Sequence, residues 1–163
     1  MTSRTSTHPQ EQRHSSSMAP GRLARGFGWG VVATLAMSVL MILGTATGVS
    51  PVPAPIPAAI VSGVLGTGLP MPLMVLLAAA SHLVYGGFWG AVITALTRPV
   101  TIWKGLGLGV SLWLVMQVAV FPFLGWGPFG AAVTPQIAVA TLVVHLVYGA
   151  ILGVLLDRGE TKE

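Results

Sequence analysis

The chain has 163 residues, of which 53% are hydrophobic and only 7% charged, with a net charge of +4 and a mean hydropathy of +0.82. Soluble domains carry about 25% charged residues, so this chain cannot cover a water-facing surface and must use lipid as its solvent. The basic excess sits at the ends of apolar segments, where it orients a membrane protein and does not point to nucleic acid. There is no cysteine, which excludes disulfides, thiolate chemistry, iron–sulfur clusters and thiolate zinc sites.

Residues 1–22 are rich in Ser, Thr, Gln and Pro and are expected to form a disordered cytoplasmic tail. A four-span membrane domain is expected over 23–157, with spans at about 24–46, 72–96, 103–123 and 136–156. Each reaches the ~20 residues that cross ~30 Å of hydrocarbon. A short cytoplasmic tail, 158–163, completes the division. Arg22 and Arg25 ahead of the first apolar run also resemble the start of a signal peptide, but the long n-region and an internal repeat favour a span.

All eight Lys and Arg fall in the N-terminal tail, the 97–104 loop or the C-terminal tail. The 47–71 and 124–135 loops carry no charge. That bias predicts both termini in the cytoplasm and the chain in the inner (cytoplasmic) membrane. The 47–71 loop holds prolines at 51, 53, 55, 57 and 70, and its apolar middle predicts a short helix at the membrane surface.

Two stretches repeat. "HLVYG" occurs at His82–Gly86 and again at His145–Gly149, an offset of 63, with Gly90 then meeting Gly153. "GWGVVATLAMSV" (28–39) matches "GLGVSLWLVMQV" (107–118) more loosely, at an offset of 79. The expected fold is therefore all-α, a polytopic bundle of two duplicated helical hairpins related by a pseudo-two-fold axis along the membrane normal. These motifs resemble uncharacterised four-span membrane domains of bacteria and archaea in which H-x-x-Y-G recurs in helices 2 and 4. The resemblance implies a fold and a membrane location and brings no reaction with it.

The motif defines the candidate site. His82 and His145 fall near mid-membrane, each followed by a tyrosine at i+3, Tyr85 and Tyr148. Gln117 and Ser38 lie at similar depth and are candidate partners for the imidazoles. Gly86, Gly90, Gly149 and Gly153 form G-x-x-x-G faces that let backbones approach closely. Polar side chains at this depth are functional candidates by default. Three readings follow: a hydrogen-bonded core that fixes register, a modest binding or proton/solute-conducting site using imidazole, or bis-His ligation of haem b by His82 and His145. A membrane assembly or interaction subunit is a further alternative. Otherwise no cofactor is expected. All four acids are in the tails, which argues against carboxylate-coupled ion transport and hard-cation sites. Two histidines make an incomplete zinc site, and the hydroxyls of Ser81 and Thr141 lack an acid–base partner, so the spans carry no legible catalytic set. The partner is the bilayer, and the glycine faces leave a homo-oligomer open.

Overall fold

A computed structural model describes residues 20–160, and every regular element among them is helical. The elements are α1 (Pro20–Ala46), α2 (Ile56–Leu65), α3 (Met71–Leu96), α4 (Ile102–Phe123) and α5 (Gln136–Glu160). All but α2 are long and apolar enough to cross a membrane. The ten residues of α2 are about half of what a span needs. Apolar side chains that would be anomalous in water, such as Val39, Ile42, Val75, Val84 and Val139, face outward on the long helices, where lipid receives them at no cost.

Of the tail expected over 1–22, residues 1–19 lie outside the described residues, while Pro20, Gly21 and Arg22 already belong to α1. Proline suits a first turn because that N–H has no helical partner to lose. The helix is extended there because its arginines find acceptors. Arg22 donates to the carbonyls of Thr94 (3.0 Å) and Thr97 (3.5 Å), and Arg25 to that of Gly159 (3.4 Å). Those oxygens close α3 and α5, whose C-termini carry negative partial charge. For the same reason α5 runs on through Arg158 into the expected 158–163 tail, of which 161–163 lie outside the described residues. This end of the bundle is the arginine end. The opposite one, where α2 lies between the end of α1 and the start of α3, is the α2 end.

α4 begins at an N-cap, where the Thr101 side chain accepts from the Lys104 amide at 3.5 Å. The bond is long and exposed, so Thr101→Ala should cost only about 0.5 kcal/mol, read as a small fall in melting temperature in detergent. Near its other end α4 widens into a π-turn over Met116–Val120, immediately before Pro122. Proline cannot donate to the carbonyl four residues back and its ring crowds that oxygen. A locally widened turn accommodates both.

Glycine decides the packing. α1 lies along α3, and α4 along α5, each pair antiparallel. A Cβ added at Gly90 would overlap the Gly26 carbonyl, and one at Gly30 would overlap the Gly86 carbonyl. In the second pair, a Cβ at Gly105 would overlap the Gly149 carbonyl, and one at Gly153 would sit 2.7 Å from Ile102 Cα. Both hairpins are thus closed backbone on backbone in the half nearer the arginine end.

The two hairpins are not superimposable in register. A Cβ at Gly30 would overlap the Gly86 carbonyl, whereas one at Gly109, its counterpart in the 79-residue offset, would overlap the His145 carbonyl, with Gly149 Cα farther off at 3.6 Å. With the two HLVYG stretches aligned, α4 is displaced by one helical turn from the place α1 would predict. Nor is the contact between hairpins two-fold. α1 packs closely on α5, but the reciprocal pair, α3 and α4, does not. Arg25 reaching Gly159 ties α1 to α5, and no equivalent bond ties α4 to α3 among the described residues.

Candidate functional site

The two HLVYG faces meet at one small cavity at the centre of the bundle. Its walls are Thr34 and Met37 from α1, His82, Tyr85 and Gly86 from α3, Leu112 from α4, and His145 and Tyr148 from α5. Its volume is about 30 Å³. That is room for one or two waters, each needing about 10–15 Å³.

The two histidines sit differently. His145 is buried, 8% exposed, and its Nδ1 donates to the Thr141 carbonyl at 2.8 Å. A carbonyl can only accept, so Nδ1 carries the proton and Nε2 is left as an acceptor. His82 is half-buried, and its Nε2 lies out of solvent with no hydrogen-bond partner. Among the described residues, neither imidazole bonds another helix. Thr141 is one turn back on the histidine's own helix.

Interhelical bonds are made by other residues. Tyr148, 2% exposed, donates to the Gly86 carbonyl at 2.7 Å, joining α5 to α3. That oxygen can take a second proton donor because a carbonyl has two lone pairs, and the missing side chain at Gly86 gives the phenol access. Gln117 is fully buried in the π-turn and donates from Nε2 to Thr141 Oγ1 at 3.0 Å. The threonine hydroxyl donates in turn to the Ile137 carbonyl at 2.7 Å. It can therefore only accept from the glutamine, which fixes the amide orientation and leaves Gln117 Oε1 buried without a partner. Trp113 Nε1 donates to the Ala138 carbonyl at 3.0 Å, a second tie between α4 and α5.

Of the sequence candidates, His82, Tyr85, His145 and Tyr148 share the cavity. Gln117 stands one turn away and binds Thr141 instead of a histidine. Ser38 lines no part of the cavity and has no hydrogen bond to either imidazole among the described residues. Tyr85 is 46% exposed, so its ring is as much a bilayer-facing wall as a cavity group. Gly86, Gly90, Gly149 and Gly153 all lie where a side chain would strike a neighbouring helix. Ser81 turns back to the Ala78 carbonyl at 3.1 Å. Thr34 and Thr141 were not expected at the site. Thr141 had a signal, since 141, 145 and 148 follow helical i, i+4, i+7 spacing. Thr34 had none, because only the approach of α1 to Gly86 brings it in.

Replacing Tyr148 with Phe should cost about 1 kcal/mol, the usual worth of one such bond between membrane helices. A melt in detergent with no shift would show that the phenol does not hold α5 to α3.

Four spanning helices with a polar centre define a multi-pass integral membrane protein. Residues 21–163 match the family of unknown function DUF6789, and the chain belongs to that family. No curated protein and no solved structure matches it.

Proposed function

We propose that the centre of this protein holds water between His82 and His145 and passes protons, or a small neutral polar solute, across the membrane. One observation carries the reading: both imidazoles line a single mid-membrane cavity, yet neither ties two helices together. A histidine kept for packing would be expected to bond a neighbouring helix. Here Tyr148, Gln117 and Trp113 perform that task. An unpartnered imidazole nitrogen beside a water-sized cavity can instead take a proton from water and return it.

The acids lie ahead of α1 or from Asp157 onward at the end of α5, away from the cavity, so we infer passage without carboxylate coupling. Haem fits poorly. A macrocycle between the two imidazoles would need far more than about 30 Å³ and would part Tyr148 from Gly86. We place the protein in the inner membrane with the arginine end cytoplasmic, following the excess of Lys and Arg there. We read the hairpins as copies of one unit that have since settled in different registers.

Proteoliposomes with a pH-sensitive dye inside test the reading. Proton flux should depend on pH, as transfer through a titrating imidazole does, and that dependence should vanish in the His82→Ala, His145→Ala double variant. Flux indifferent to pH and to both substitutions would remove the proposal.

A further inference from the structure

The bundle is closed differently at its two ends. On the arginine side of the cavity, α1 meets α3 and α4 meets α5 through glycine, backbone against backbone. Thr34 and Thr94, the hydroxyls on that side, donate to the carbonyls of Gly30 at 2.8 Å and Ala91 at 2.8 Å. Parting the helices there would dismantle the contacts that hold each hairpin together.

Toward the α2 end the closure is made of side chains alone. Ile56, Met116, Phe121 and Ile137 form one buried apolar cluster, with Val52 and Ile60 packed against it. Directly beneath lies the π-turn with Gln117, whose Nε2 holds Thr141, whose backbone carbonyl in turn holds His145 Nδ1. A polar chain therefore runs from just under the plug to the histidine cavity. It ends in an oxygen, Gln117 Oε1, that is fully enclosed and unpartnered. A buried amide oxygen costs free energy unless a donor reaches it at some point in the working cycle.

α2 is held at the plug largely by apolar contact. Its polar tie to α3 is a weak hydroxyl–thioether contact, Ser62 Oγ to Met74 Sδ at 3.7 Å. The segments that connect it to α1 and α3 contain Gly48 and Gly66, both in the positive-φ region at 71° and 87°. Glycine adopts these angles readily, while Pro51, Pro53, Pro55 and Pro70 stiffen the rest of the two linkers, so any re-aiming turns on the two glycines.

We propose that α2 is a lid: when Ile56 leaves the plug, water and small neutral polar molecules enter from the α2 end, meet Gln117 first, and reach the His82/His145 cavity along α5. This rests on the reading of the cavity as a binding or conduction site. The closed form keeps the path dry, since an apolar constriction excludes water without any charge to move.

The absence of cysteine makes single-cysteine labelling free of background. Leu112→Cys places a thiol on the cavity wall, and a small membrane-impermeant thiol reagent is added separately to each side of oriented vesicles. Modification should be slow in that variant and at least tenfold faster when Ile56→Ser is added, from the α2 side alone. Val64→Ser, on the exposed side of α2, should leave the rate unchanged. Faster labelling from the arginine end, or a rate indifferent to Ile56→Ser, overturns the proposal. Should Ile56→Ser fail to fold, hydrogen exchange on the unsubstituted protein decides: amides of 59–65 should exchange at least tenfold faster than those of 140–150, and equal protection overturns the lid. Labelling needs no flux, so a closed lid and a non-conducting cavity are told apart.

Discussion

Valine at Gly90 should leave little folded protein, whereas alanine at Gly107 should be harmless or slightly stabilising. The two glycines look alike in sequence, each inside an apolar helix with another glycine nearby. At Gly90 a first side-chain carbon would overlap the Gly26 carbonyl and lie 2.9 Å from Gly30 Cα. Both obstacles are backbone, so no rotamer change relieves them, and α1 must move off α3. Overpacking a core costs about 1–3 kcal/mol and occasionally more. With backbone on both sides we expect about 3 kcal/mol or more here, a large share of the ~5–15 kcal/mol that holds a typical domain. At Gly107 nothing lies within 4 Å. Alanine there gains the helix propensity glycine lacks, about 0.5–1 kcal/mol. Size-exclusion profiles after a heating series in detergent read both. Gly90→Val eluting and melting like the unsubstituted protein would show that the α1–α3 contact is not as close as the geometry requires.

That contrast also marks where sequence stops being informative. The spans were legible because about twenty apolar residues in a row satisfy a physical length, with charge-free loops at one end and basic segments at the other. The packing glycines of α3 and α5 were legible through G-x-x-x-G spacing after HLVYG. Their partners on α1 and α4 were not. The matched pairs Gly28/Gly107 and Gly30/Gly109 mix exposed positions with buried ones, and local composition holds no record of which helix face will meet another. The site shows the same boundary. His82 and His145 announce themselves as polar residues at mid-membrane. That Gln117 would turn to Thr141, and that Ser38 would take no part, depends on a one-turn register between α4 and α5 fixed by glycines elsewhere. The packing asymmetry, with α1 on α5 but α3 standing off α4, leaves no trace in the two HLVYG stretches, which are identical.

His82→Leu should separate stability from function. Leucine is close to imidazole in size and, unlike it, loses nothing by lying beside an apolar wall. His82 makes no hydrogen bond to another helix among the described residues, so an apolar side chain of similar size breaks no tie, and such a swap costs under about 1.5 kcal/mol. The variant should therefore melt within a few degrees of the unsubstituted protein. Proton flux in proteoliposomes should fall at least tenfold. A histidine retained for packing gives the opposite pattern: stability drops and flux, where present, follows the amount of folded protein. His145→Leu provides the internal comparison. Its Nδ1 bond to the Thr141 carbonyl lies within one helix, and that oxygen keeps its ordinary backbone donor, so the loss should stay under about 1 kcal/mol. If both leucine variants are as stable as the original and both are silent, the two imidazoles act on one water-filled cavity. If His82→Leu melts well below His145→Leu, then His82 is a packing residue and the proposed path does not pass through it.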